Sequence, residues 1–253
     1  MEKAPLRLTI RGQGITVNVP TFEALMAAIG ARFAQRQGFA LATVNLDHLE
    51  KIRHGGAFAQ AYGAQDFVVA DGNPIVWLSR LAGKPVALLP GSDLVLPLCR
   101  LARDAGVPVA LVGSYEAALG DAAQAIEAEA PGIKIALTIP PAQGFDPEGE
   151  EADAILARLA AQEVGLCLLA LGAPKQEILA ARGRIAAPGV GFASIGAGLD
   201  FLGGHQQRAP RWVRRIAMEW AWRLGSNPRR LARRYALAFA ILPGLAWRAL
   251  RQR

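Results

Sequence analysis

The sequence predicts a Rossmann-like α/β body, a mostly parallel sheet with helices on both faces, followed by a C-terminal appendage of amphipathic helices. Three observations predict it. Short apolar runs alternate with helix-length amphipathic segments along the first four-fifths of the chain. Several of those runs, such as residues 164–171, are apolar throughout, as strands covered on both faces are. Charge is also split: from Gly203 onward 12 arginines face one acid, Glu219, a net +11, whereas residues 1–202 carry 16 basic against 20 acidic groups, a net −4. The expected division is therefore a catalytic body over residues 1–202 and a basic appendage over 203–253 holding Trp212, Trp220, Trp222 and Trp247.

Residues 7–19 read as two short strands around Gly12 and Gly14, a hairpin signal, and Thr21 is placed to cap the first helix. Strand 39–44, helical segments to about residue 61, strand 67–70 and helix 74–81 follow. Next come helix 93–104, strand 107–112, helix 115–129, strand 133–139 and helix 148–161. Strand 164–171, helix 174–182 and strand 190–195 complete the body. In the appendage, Trp212, Ile216 and Trp220 recur every four residues, predicting one amphipathic helix over 211–224. A second begins at Pro228, with Leu231, Tyr235, Phe239 and Leu242 on one face.

A composition of 52% hydrophobic and 19% charged residues excludes a disordered chain. A mean hydropathy of +0.23 raises the question of a membrane span. The longest apolar run, residues 236–246, is interrupted by Pro243 and Gly244 and falls short of the roughly 20 residues a span requires. The start, MEKAPLRLTI, does not resemble a signal peptide, so a cytoplasmic location is expected. Cys99 and Cys167, in apolar surroundings, read as reduced core residues. His48, His54 and His205 show no ligand spacing and are expected on surfaces, and no Asp-x-Asp occurs, so neither metal nor cofactor is expected.

Ligands of such sheets bind at the carboxyl ends of strands, which draws attention to the loops at Thr43-Val44-Asn45, Asp71-Gly72-Asn73, Gly172 to Glu177 and Gly196 to Phe201. Pro174, at a first helical turn, leaves that helix N-terminus open to an anion. Each loop alone is a weak signal, and neither Gly189-x-Gly191 nor Gly196-x-Gly198 completes a dinucleotide fingerprint.

Taken in order, TVN, VVADGNPIVWLSRLAGKP, GSDL, ALGAPKQE, GAGLDFLGG and RAPRWVRRIAMEWAWRL, between about residues 40 and 235, resemble the WecG/TagA/CpsF glycosyltransferases. The resemblance implies inverting transfer from a UDP-sugar donor to a polyprenyl-diphosphate-linked sugar acceptor at the cytoplasmic face of the plasma membrane. The products of the family are exopolysaccharides and other cell-surface glycans. Asp71 matches the family's base; the alternative is that Asp71 or Asn73 only caps the helix Pro74 begins. Thr43 and Asn45 match pocket residues, against ordinary loop capping. Lys175 and Gln176 are the body groups placed to meet a leaving diphosphate, and Gly172, Gly196 and Asp200 belong to the remaining loops. Asp93 of GSDL either touches substrate or is explained by an N-cap at Ser92 or Asp93.

The family usually carries an arginine three residues before the glycine of GSD, and here that residue is Leu88, which opens the donor to neutral hexoses such as glucose as well as N-acetylmannosamine. The resemblance further implies that the appendage docks on an anionic membrane surface and lends arginines to the site, with Arg208, Arg211 and Arg215 as candidates for a diphosphate. A helix packed permanently on the body with a solvated basic rim is the plainer reading. Arginine with tryptophan also suits nucleic acid, but nucleic-acid binding does not require the ordered strand-end motifs. A nucleotide-sugar-binding regulator without turnover is the third alternative.

Overall fold

The computed structural model describes residues 4–253 except 211, 214–216 and 227. The chain opens with an antiparallel hairpin, β1 (Leu6–Ile10) and β2 (Gln13–Val17), closed by Arg11 and Gly12 at φ +46° and +82°. Two consecutive positive φ values give the turn the twist that a two-residue hairpin needs. Thr21 caps α1 (Phe22–Ala34), its hydroxyl accepting from the Ala24 amide at 3.2 Å.

The body then runs β3 (Phe39–Val44), α2 (Leu46–Ile52), α3 (Gly56–Gly63), β4 (Phe67–Ala70) and α4 (Asn73–Leu81). It continues with α5 (Gly91–Asp104), β5 (Val109–Gly113), α6 (Glu116–Glu129), β6 (Ile135–Ile139) and α7 (Glu150–Ala161). Last come β7 (Leu166–Ala170), α8 (Lys175–Ala186), β8 (Gly191–Ser194) and α9 (Gly198–Leu202). Six strands form one sheet in the order β4-β3-β8-β7-β5-β6, and every neighbouring pair is parallel. The expected Rossmann-like α/β body is thus present, with strand ends within a few residues of those predicted.

Strand periodicity divides the core between the two faces. Phe39, Leu41, Leu111 and Leu168 pack with α1, α5 and α6, whereas Ala40, Ala110, Cys167 and Phe192 pack with α7 and α8. Because both faces are covered, the strands are mostly apolar, with Thr43 and Ser194 as buried polar exceptions near strand ends. Cys99 and Cys167 are buried and unpaired, as expected, and burial pushes the Cys99 thiol up to about 12.

The appendage departs from its prediction. A single helix over 211–224 is not formed: Ala217 adopts φ +61° and helix α10 starts only at Glu219, running to Ser226. A left-handed residue ends the i to i−4 ladder, so Trp212 and Trp220 do not share one continuous stripe. Helix α11 (Pro228–Ala240) stops before Leu242, which instead begins α12 (Leu242–Leu250). Helix α11 lies on α2, and α12 lies on α4 and β1. Ala238, Ile241, Leu245 and Ala249 share a buried cluster with Leu6, Leu8, Leu49 and Ile75. Gln252 closes the contact by donating to the Arg7 carbonyl at 2.5 Å and accepting from the Arg7 amide at 3.2 Å. Among the described residues no helix is long and apolar enough to cross a membrane.

Candidate active site

Strands β3, β4, β7 and β8 are adjacent and parallel, so the loops that leave them open onto one edge of the sheet. A cleft of about 410 Å³ lies there, with α10 and α11 as its far wall. Thr43, Asn45, Asp71, Asn73, Gly172, Gln176 and Gly196 all line it.

Asp71 is held at the end of β4 by its amide, which donates to the Val44 carbonyl at 2.8 Å. The Thr43 hydroxyl donates to Asp71 Oδ2 at 3.4 Å, a long contact between neighbouring strand ends. Asp71 does not cap α4: the N-cap is Gly72, at φ +127°, and no side chain bonds there. Asn45 does cap α2, accepting from the His48 amide at 3.1 Å, and it lines the cleft as well. Asn45 therefore caps a helix and faces the cleft at the same time.

Behind Thr43 lies a buried chain of polar groups. Tyr62 donates its hydroxyl to the Thr43 carbonyl at 3.1 Å, so its oxygen must accept from His48 Nδ1, 2.6 Å away. His48 is buried, contrary to the expected surface placement, and desolvation lowers its pKa to about 3, leaving the ring neutral with the proton on Nδ1.

On the other side of the cleft, Gln176 accepts from the Gly196 amide at 3.2 Å and donates to Glu177 Oε1 at 2.8 Å. Glu177 is fully buried and its second oxygen has no hydrogen-bond partner. Burial raises its pKa from 4.5 to about 7. A carboxyl whose folded pKa lies above its unfolded one stabilises the fold fully below the lower value and loses that contribution as pH rises through the higher. Glu177→Gln should therefore gain stability relative to wild type between pH 4 and pH 8, by on the order of 3 kcal/mol, in denaturant melts at the two pH values. Equal differences at both would show that Glu177 ionises over the same pH range in the folded and unfolded chains.

The positive charge of the cleft comes from residues sequence reasoning did not single out. Arg234 of α11 donates to Asp47 Oδ1 at 2.6 Å, and Lys51 Nζ stands 3.1 Å from Asp47 Oδ2 and donates to the Ala173 carbonyl at 3.2 Å. Burial of Asp47 opposes ionisation, but Arg234 and Lys51 outweigh it and hold the carboxyl below its ordinary range. Trp220 meets Tyr235 and Phe239 edge to face, at 5.1 Å from Phe239, and the three rings cover the same space.

The family model for the glycosyl transferase WecG/TagA/CpsF family matches residues 10–253, nearly the whole chain. The chain belongs to the WecG/TagA/CpsF glycosyltransferase family. It is also similar to the N-acetylglucosaminyldiphosphoundecaprenol N-acetyl-beta-D-mannosaminyltransferase of Bacillus spizizenii, 26% identical over 200 residues that cover 79% of this chain and 76% of that protein.

Not every residue picked out on family grounds reaches the cleft of this WecG/TagA/CpsF protein. Lys175 is half-buried outside the lining, whereas Lys51 is part of it. Asp93 pairs with Arg208, through Nη2 at 3.0 Å and a second contact through Nη1, and neither residue lines the cleft. That hydrogen bond raises the Arg208 pKa. Neither Ser92 nor Asp93 caps α5, whose N-cap is Pro90. Asp200 accepts from Ser114 at 2.6 Å and Gln206 at 2.8 Å and braces the loop after β5. Arg211 and Arg215 lie outside the described residues. Among the described residues no group of three or more His, Cys, Asp or Glu is arranged to hold a metal ion.

Proposed function

We propose that the protein is a peripheral-membrane hexosyltransferase that moves a hexose from a UDP-sugar to a polyprenyl-diphosphate-linked sugar, with inversion and without a metal, in exopolysaccharide or other cell-surface glycan synthesis. Its place would be the cytoplasmic face of the plasma membrane, with residues 1–202 as catalytic body and 203–253 as membrane-associating appendage. The observation that carries this reading is Asp71, held at a strand end on the cleft surface with Thr43 beside it, in a chain of this glycosyltransferase family.

In the proposed reaction Asp71 accepts the proton of the attacking acceptor hydroxyl as that oxygen bonds to the anomeric carbon. The bond from that carbon to the UDP oxygen breaks on the opposite face, and its electron pair leaves with UDP. Lys51 and Arg234 supply cationic donors for the departing diphosphate, with Asp47 fixing where each stands. The aromatic wall of Trp220, Tyr235 and Phe239 suits the apolar face of a sugar ring or the start of a polyprenyl chain.

The Bacillus relative, by its name, adds N-acetylmannosamine to an N-acetylglucosaminyl diphosphate lipid. Leu88, 39% exposed, lines this cleft with an apolar side chain, which favours an uncharged sugar there and keeps glucose beside N-acetylmannosamine as donor. The test is a panel of UDP-sugars offered with polyprenyl-diphosphate glucose and polyprenyl-diphosphate N-acetylglucosamine, with products identified by mass and the rate repeated in EDTA. A hexosylated lipid, formed equally fast in EDTA, is expected. Binding of UDP-sugar without product from any pair would favour the regulator, and salt-sensitive binding to DNA without transfer would favour the nucleic-acid reading.

A further inference from the structure

Most large apolar side chains of the body are buried, yet α4 exposes Trp77 at 44% and Leu81 at 39%. These residues stand four apart, on one face of the helix, with Arg80 exposed between them. The buried face of α4, Ile75, Val76 and Leu78, belongs to the same cluster as Leu245 and Ala249 of α12. Helix α12 in turn exposes Trp247 at 58% and Leu250 at 49%, and Arg251 lies 4.6 Å from the Trp247 ring.

The two helices meet at their C-terminal ends. Arg253 packs against Gly83, just beyond the end of α4, and the two helices pack against each other. Gln252, bonded to the Arg7 backbone, holds this arrangement to the hairpin. The charge around it has one sign: residues 72–92 contain Arg80 and Lys84 but no acid, and residues 220–253 contain no acid at all.

We propose that α4 of the body and α12 of the appendage form one rigid platform that docks on an anionic bilayer, with Trp77, Leu81, Trp247 and Leu250 entering the headgroup region and Arg80, Arg251 and Arg253 meeting lipid phosphates. Indole rings on a two-helix surface ringed by arginine match the amphipathic boundary of a bilayer, where apolar area and anionic charge lie in one plane. The platform rests on the membrane-surface reading above for the identity of its partner. It adds that the body itself touches the lipid, so the appendage is not a tether on which the catalytic body swings.

The experiment uses the full chain and vesicles of equimolar phosphatidylcholine and phosphatidylglycerol, with phosphatidylcholine vesicles as the uncharged comparison. The wild-type chain is expected to float with the anionic vesicles and to be released by salt. The Trp77→Glu/Leu81→Glu variant, altered only at exposed positions, is expected to lose at least about tenfold in partitioning with an unchanged melting temperature. Arg80→Glu, which leaves the apolar contacts in place, is expected to weaken binding to anionic vesicles alone, and it carries the test if the double variant does not fold. Wild-type binding by both variants would overturn the platform and leave the membrane reading standing. Failure of the wild-type chain to float would overturn both. A change in sedimentation of the double variant from dimer to monomer, with vesicle binding intact, would make the face a contact between two copies of this chain.

Discussion

Asp71→Asn is expected to lower kcat for sugar transfer by about 10²- to 10⁴-fold while leaving the fold and UDP-sugar binding intact. The change keeps the shape of the side chain and an oxygen to accept from Thr43, and removes the negative charge and with it the capacity to take a proton. A binding isotherm for UDP beside the rate measurement separates the two effects. Loss of turnover with UDP affinity within the wild-type range supports a base. Equal turnover would remove Asp71 from the chemistry. Equal losses in both would make it a binding group whose charge orders the cleft.

Gly113→Ala is the second large effect, and it acts on the scaffold. Gly113 ends β5 at φ +127°, and a Cβ there would lie 2.4 Å from the Ala170 carbonyl oxygen and 2.5 Å from its carbonyl carbon. That obstruction is backbone of the paired strand, which cannot rotate away. The combined backbone strain and overpacking should cost on the order of 3–5 kcal/mol, a fall in Tm on the order of 10 °C. Gly120→Ala makes the opposite case. Gly120 lies inside α6 with nothing within 4 Å of where its Cβ would be, so alanine there should add about 0.5–1 kcal/mol by restricting the unfolded chain. Thermal melts of the two variants give opposite signs if these geometries hold.

What could be read from the sequence follows from what apolar patterning encodes. Strands covered on both faces and helices with one buried face leave period and length signals, so the sheet and its flanking helices were legible to within a few residues. Strand-end position brought Thr43, Asn45, Asp71, Gln176 and Gly196 to the cleft, because topology alone places those loops together. Side-chain direction has no such signal. Asp93, Lys175, Asp200 and Arg208 sit in the right loops but turn elsewhere, and only the Asp93–Arg208 and Ser114–Asp200 pairings show why.

The Asp47–Lys51 pair, four apart on a helix, looks in sequence like an ordinary solvated ion pair. Its place in the wall of the cleft becomes visible only once Arg234, 187 positions later, is seen to reach the same carboxylate. The break at Ala217 was equally hidden, since alanine is a strong helix former and nothing local announces a left-handed residue.

The strand order has a consequence for how the enzyme is made. Strand β8, the last of the body to leave the ribosome, sits in the middle of the sheet between β3 and β7. Until it inserts, β4-β3 and β7-β5-β6 are two separate ribbons, one bearing Thr43, Asn45 and Asp71 and the other Gly172 and Gln176. Gly196, whose amide holds Gln176, follows that strand directly. A nascent chain shorter than about 196 residues therefore has both halves of the cleft floor and no cleft, and the far wall formed by α10 and α11 follows later still. Such a centrally placed final strand, with its long sequence separations, is also where folding should be slowest.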